Sequence, residues 1–299
     1  MNKIFLHVTY DCNAHCVHCA VPRRKEYLPL NIFKKMIDTI PMDYLVIGGG
    51  EPLLHTDIDE MIDCASQCTR VKIETNGGLL SEKFLTENKE KLFQMNVSID
   101  GVKDTHNKIR KTHIFDHTTN MISYARDLGI DVAIWSVVMT HNLTEIDEVI
   151  SLTKKLKVNK LSFLYATPVG RCSQSILVNP ADYISIVKRV KSQEDNNLQI
   201  RIAPYILPPL AKIDGLECLI NDGDILHIDP RGDVYPCVLL LENEKYKLGS
   251  VEQGYHKITI SNPSICSGLI ESIGEDYRFA YGTPICPCRT ISSEWKLQR

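Results

Sequence analysis

The sequence predicts an α/β fold: a parallel sheet of six βα units curved toward a barrel, followed by a smaller domain with a β-hairpin. Three observations predict it. Short apolar runs alternate six times with stretches of helical periodicity across residues 4–165, as strands joined by helical crossovers do. Most of these runs end in glycine or polar residues, as strands do where a parallel sheet meets a ligand at its C-terminal edge. Past residue 192 the text turns polar and then proline-rich, which marks a boundary.

The elements follow in order. Ile4-Phe5-Leu6-His7-Val8-Thr9-Tyr10 reads as a strand running straight into Asp11-Cys12-Asn13-Ala14-His15-Cys16-Val17-His18-Cys19. Residues 30–40 carry apolar side chains at helical spacing. Tyr44-Leu45-Val46-Ile47 then forms a strand ending in Gly48-Gly49-Gly50-Glu51-Pro52. Helical 57–68 leads to a strand at 70–74 and Thr75-Asn76-Gly77-Gly78; helical 81–94 leads to a strand at 95–99 and Asp100-Gly101. Helical 117–128 precedes a strand at 131–139, and helical 143–155 precedes one at 160–165. The first domain is expected over 1–195 and the second over 196–299. In the latter, runs at 224–229 and 234–237 flank Pro230-Arg231-Gly232-Asp233, a turn between two strands.

Composition narrows the class. The chain has 299 residues, 43% hydrophobic, enough for a large core. A net charge of −3 without a dense Lys/Arg block argues against nucleic-acid or membrane-surface partners. Eleven cysteines, an odd number, with no secretory leader fit a reducing cytoplasm and metal-bound thiols. No apolar stretch approaches the roughly 20 residues of a membrane span.

Cys12, Cys16 and Cys19 fall four and three positions apart. Three thiolates on one short loop can hold three irons of a [4Fe–4S] cube and leave the fourth open to a small molecule. Buried thiols or a zinc knuckle are the alternatives. Glycines after the second strand let a ligand approach the backbone. Cys64 and Cys68, one helical turn apart, read as core.

The C-x3-C-x2-C spacing, with His18 in the aromatic place before the last cysteine, resembles the signature of the radical S-adenosylmethionine (SAM) superfamily. The resemblance implies a SAM-binding [4Fe–4S] cluster on Cys12, Cys16 and Cys19. It implies that Gly48, Gly49, Gly50 and Glu51 hold the amino group of SAM, Ser98 meets its ribose and Arg110 its carboxylate. His18 and Asp100 join this cofactor-binding set. Asn107 stands where the family commonly has Asp, so no role passes to it. Pro168-Val169-Gly170-Arg171-Cys172 resembles the family's P-x-G-R-A segment at the substrate edge. The departure, Cys172, reads either as a hydrogen donor to a substrate radical or as a small buried residue.

Cys218, thirteen residues, Gly232, four residues and Cys237 resemble the opening of the twitch and SPASM domains. The denser cysteine block of SPASM is absent. That implies a twitch-like domain with a second, auxiliary [4Fe–4S] cluster on Cys218, Cys237, Cys286 and Cys288. Cys266 is an alternative ligand, and zinc on the same thiolates an alternative metal. The implied activity is reductive cleavage of SAM to a 5′-deoxyadenosyl radical that takes hydrogen from a ribosomally made, leader-bearing peptide, giving epimerisation or crosslinking. With the first strand so near the start, no leader-binding domain is expected. The implied partners are that peptide and an electron donor such as flavodoxin or ferredoxin. A small-molecule dehydrogenase and a zinc-binding interaction module are the rival readings.

Overall fold

A computed structural model describes residues 2–166, 169–202 and 225–255; Pro168, Cys218, Cys266, Cys286 and Cys288 lie outside the described residues. Six parallel strands fall where the sequence places them. They are β1 Lys3–Thr9, β2 Tyr44–Gly49, β3 Arg70–Thr75, β4 Leu92–Ser98, β5 Val132–Val138 and β6 Lys160–Tyr165. Each pairs parallel with the next in chain order. Crossovers of this kind are right-handed, and since all step the same way, the helices gather on one face.

Those helices are α1 Leu30–Thr39, α2 Ile58–Ser66, α3 Glu82–Asn88, α4 Lys103–Arg110, α5 Phe115–Asp127, α6 Ile146–Lys155 and α7 Pro180–Lys191. Alternate strand residues pack against them: Leu6, Ile47, Ile73, Val97 and Ile134 share a core with Phe33, Met61, Leu85, Ile122 and Val149. Burying each such side chain contributes roughly 1.5–3 kcal/mol. The opposite face carries the polar alternates, with His7 paired to Gly48 and Glu74 to Asn96. The sheet is therefore apolar toward the helices and polar toward the site.

Local chemistry explains most boundaries. Pro29 precedes α1, and Ile40, held extended before Pro41, ends it. Ser81 caps α3 by accepting from the Phe84 N–H at 3.1 Å. The helical pattern over 81–94 is cut short because the sheet takes Leu92–Ser98 as β4. The sequence does not announce α4. Its one strongly apolar residue is Ile109, and the face it buries includes His106 and Arg110.

The six-strand expectation is corrected upward. β7 Gln199–Ile202 joins β6, and β8 Ile225–Ile228 joins β1, both parallel. Both strands lie beyond residue 195, so segments assigned to the second domain extend the same sheet at either edge. The expected hairpin is present: β8 runs antiparallel to β9 Asp233–Tyr235. Asp229 Oδ1 closes its turn by accepting from the Arg231 and Asp233 N–H groups, both at 2.9 Å. β10 Gly249–Ser250 and β11 Gly254–Tyr255 complete the described sheet.

Candidate functional site

The C-terminal ends of β1–β4 converge on the cysteine loop. β2 docks first: the Gly50 N–H donates to Thr9 O at 2.7 Å and the Glu51 N–H to Asp11 O at 2.8 Å. A Cβ at Gly49 would stand 2.3 Å from Thr9 O, and one at Gly50 2.0 Å from Asp11 O. No side chain fits there. The close approach that demands these two glycines comes from the backbone of the cysteine segment itself.

Glu51 is fully buried and its carboxylate faces β3. It accepts from Thr75 Oγ1 at 2.7 Å, the Asn76 N–H at 2.8 Å and the Leu53 N–H at 3.3 Å. Burial pushes its pKa up to about 7 against the pull of these bonds. Its side chain braces β2 to β3, which makes it a positioning residue. Asn76, so placed, donates to Asn13 Oδ1 at 2.7 Å and reaches to 3.9 Å from Cys12 Sγ. In sequence Thr75-Asn76-Gly77 resembles the family's third-strand end, a pocket-lining segment without a defined role of its own.

β4 delivers a buried charge pair. Arg110 Nη2 stands 2.7 Å from Asp100 Oδ2, with both side chains nearly inaccessible. Asp100 Oδ1 accepts from the Val137 N–H at 2.8 Å, and His18 Nε2 lies 3.8 Å from Oδ2. Burial alone would raise the Asp100 pKa; Arg110, with the two histidines, outweighs it and holds the carboxyl below its usual range. Burial pushes His18 down to about 4 and His106 to about 3, so both are neutral at physiological pH. His106 Nδ1 accordingly accepts from the Asp100 N–H at 3.2 Å. Asp100 therefore acts through Arg110. Ser98 is half-buried at the end of β4, opposite Trp135 of β5, and Asn107 Oδ1 tethers the start of α5 through the Phe115 N–H.

The loop itself is clamped through its backbone. Arg23 Nη2 donates to Cys12 O at 3.0 Å and Arg171 Nε to Cys16 O at 3.2 Å, while the Arg171 N–H donates to Cys19 O at 3.0 Å. His15 and Val17 N–H groups donate to the carbonyls of Arg110 and Ile109, at 3.1 and 3.0 Å. Gly170 is required where it stands, since a Cβ there would lie 2.4 Å from Cys19 O. Arg23 was not singled out from sequence, because an arginine in a loop rich in basic residues carries no signal of its own. Arg171, read as a substrate-edge residue, is a clamp on the cysteine loop.

Cys12, Cys16 and Cys19 are free thiols. Burial raises Cys12 and pushes Cys16 up to about 11, each also raised by a neighbouring thiol and opposed by Arg110. A bound metal would take these protons off. Among the described residues no three His, Cys, Asp or Glu side chains converge as one metal ion requires. Three neighbouring thiols on a clamped loop, within reach of the Arg110 charge, suit a multi-iron cube.

Four further cysteines are placed among the described residues. Cys172 is buried in a small apolar cluster with Ile109, Met139, Ala166 and Ile176, the environment of a packing residue. Cys237 is buried just past β9, and its expected companions lie outside the described residues. Cys64 packs against the main core, but Cys68 is exposed, contrary to its reading as core.

Residues 6–156 match the family model described as the Radical SAM superfamily. The chain belongs to the radical SAM superfamily. It is 29% identical over 263 residues to the AdoMet-dependent heme synthase of Methanosarcina barkeri, spanning 77% of this chain and 74% of that protein. It is also 29% identical over 185 residues to a GTP 3′,8-cyclase of Clostridium botulinum, spanning 57% of this chain and 58% of that one. Among solved structures, native anSMEcpe with bound AdoMet and the Cp18Cys peptide superposes with a TM-score of 0.73. That alignment covers 99% of this chain and 95% of that one at 16% identity, a likeness of fold. For a radical SAM chain the cofactors are a [4Fe–4S] cluster and SAM, which suits the thiol loop described. No helix among the described residues is long and apolar enough to cross a membrane.

Proposed function

We propose that this chain is a radical SAM enzyme that abstracts a hydrogen atom from a ribosomally made peptide, in the course of epimerisation or crosslinking. The observation that carries the radical SAM chemistry is the cysteine loop, clamped at three carbonyls by Arg23 and Arg171 and set against Asn76 and Arg110. A [4Fe–4S] cluster on Cys12, Cys16 and Cys19 supplies, when bound, the single electron that splits SAM and starts hydrogen abstraction. The chain's own residues prepare the place. Gly49 and Gly50 bring the β2 backbone against the loop, Gly48 leaves room for the Glu74 side chain, and Glu51 holds Asn76 in position. Asp100 fixes the Arg110 guanidinium, whose remaining N–H groups suit the carboxylate of SAM. Ser98, two residues before Asp100, is the hydroxyl for the ribose.

The peptide as substrate is supported by the fold shared with anSMEcpe, whose structure carries a bound peptide. A second reading, a small-molecule substrate, is favoured by sequence identity to a heme synthase and a GTP cyclase. An auxiliary cluster on Cys218, Cys237, Cys286 and Cys288 would give a second electron somewhere to go in crosslinking. Cys172 as hydrogen donor would favour epimerisation, although its apolar burial suits packing better.

Anaerobically reconstituted enzyme decides most of this. Two cubes give roughly eight irons per chain and one gives about four. Replacing Cys12, Cys16 and Cys19 with alanine should abolish deoxyadenosine formation from SAM under dithionite. Turnover in heavy water with a short peptide encoded beside the gene then separates products. Epimerisation adds one mass unit and crosslinking removes two; an unchanged peptide beside an oxidised small molecule would select the second reading.

A further inference from the structure

One row across the middle of the polar sheet face holds hydrogen-bonding atoms left without a partner among the described residues. His7 of β1 pairs with Gly48 of β2, and Glu74 of β3 with Asn96 of β4. Gly48 joins the two pairs, since a Cβ there would stand 3.3 Å from Glu74 Oε2 and 3.4 Å from its Cβ. His7 and Asn96 are 7% and 4% exposed. Glu74 keeps part of its surface accessible, so the row can be reached at that residue.

Glu74 Oε1, Asn96 Oδ1 and both ring nitrogens of His7 are enclosed and unpartnered. Burial pushes His7 down to about 4, so its ring is neutral and one nitrogen accepts. Asn96 donates to Glu74 through its amide group, which leaves its oxygen free. The row thus presents three acceptors: a carboxylate oxygen, an amide oxygen and an imidazole nitrogen. Enclosing such atoms unpaired costs folding free energy. The charged neighbours do not account for them. Lys72, two residues back on β3, acts on Glu74 through its charge, but its Nζ donates to Gln94 Oε1. His227 of β8, neutral through burial, meets His7 ring to ring at 6.0 Å.

We propose that this row is the subsite for a primary ammonium group of the substrate, with Glu74 as its counter-charge. The three N–H donors of an ammonium match the three acceptors, and the bond to the carboxylate is the strongest of them. The proposal rests on the radical SAM reading above, which brings a substrate to this face. Ser98 stands two residues beyond Asn96 on β4, roughly 6–7 Å closer to the cysteine loop. The four-carbon stem of a lysine suits that step, with its backbone near Ser98 and its ammonium in the row. Burial raises Glu74 to about 7, so near pH 6 its carboxyl carries a proton. An ammonium that binds there displaces this proton to solvent.

The test is anaerobic calorimetry of the full reconstituted chain with SAM near pH 6, titrated with acetyl-Gly-Lys-Gly-amide. The norleucine peptide, which lacks only the ammonium, should bind about tenfold more weakly or worse. Titrations in two buffers of different ionisation enthalpy should show roughly one proton released per lysine peptide bound. Glu74→Gln should lose both the lysine preference and the proton release. Glu82→Gln, an exposed change of the same kind on α3, should behave as wild type. Three results overturn the subsite: equal affinity of wild type for the two peptides, no binding of either, or a lysine preference that survives in Glu74→Gln. Binding of n-butylamine as tightly as the lysine peptide upholds the subsite and assigns it to a small amine. Absence of deoxyadenosine from wild type under dithionite overturns the radical SAM reading instead, a result on which the calorimetry does not depend.

Discussion

The two ends of the polar sheet face handle charge in opposite ways. At the N-terminal end, Lys72, Gln94, Asp131 and Lys160 satisfy one another. Lys72 Nζ donates to Gln94 Oε1 at 3.1 Å, Gln94 Nε2 to Asp131 Oδ2 at 2.7 Å, and Lys160 Nζ to the same carboxylate at 2.5 Å. Lys160 and Asp131 remain 38% and 29% exposed. At the C-terminal end, Asp100 and Arg110 are 0% and 7% exposed. Around them Arg110 Nε, His18 Nδ1 and His106 Nε2 are buried without a hydrogen-bond partner in the protein. A network that serves folding closes on itself near water. One that serves a ligand keeps donors in reserve, and pays in desolvation.

Four substitutions break or sharpen this contrast. The largest effect is expected at Asp100→Ala, which leaves the Arg110 charge buried and unpaired; chemical denaturation should register a loss of about 3–5 kcal/mol. An equally stable variant would show that the pair is not the buried keystone of the site. Next is Gly50→Ala. Its Cβ falls within 2.0 Å of Asp11 O, so the cysteine loop must shift, with an expected cost of about 1–3 kcal/mol and reduced iron loading after reconstitution. Full iron content together with wild-type stability would contradict the backbone-contact account of this glycine.

Glu74 lies between the two ends, its Oε1 enclosed and unpartnered. Burial pushes its pKa from 4.5 up to about 7, against the pull of Asn96 and Lys72. The fold therefore prefers the protonated acid. Stability from this group is intact below the unfolded value, declines as pH rises between 4.5 and 7, and then levels off. Glu74→Gln should gain on wild type across that window in thermal melts, with little difference at its acid end. A constant offset at every pH would count against it. The smallest effect belongs to Asp131→Asn, worth under about 1 kcal/mol because Lys160 is well solvated; a larger loss persisting in high salt would erase the contrast.

Much of this molecule could be read along the chain. β1 to β6 lie within a few residues of their apolar runs, since a strand buried in a parallel sheet must be apolar nearly throughout. The cysteine triplet and the glycine strand end are legible because each is local in sequence. α4 was not legible: its inward residues, His106 and Arg110, are polar because they face Asp100. β7 and β8 were not placed in the sheet because short segments gain a place in it only through neighbours distant in sequence. Cys172 carried two meanings in sequence, and its apolar surroundings favour packing.

The sequence by itself determined the strand order of the central sheet, the thiols on their loop and the glycines that no side chain could replace. Hydrophobic period and residue spacing are sufficient for these. Only the tertiary structure decided what the polar residues do. It turned Glu51 toward β3, spent Asp100 on Arg110, set Arg171 on the carbonyls of the cysteine loop and joined β8 to β1. A polar side chain's role is set by the partner it meets when buried, and these partners lie between 10 and more than 200 residues away.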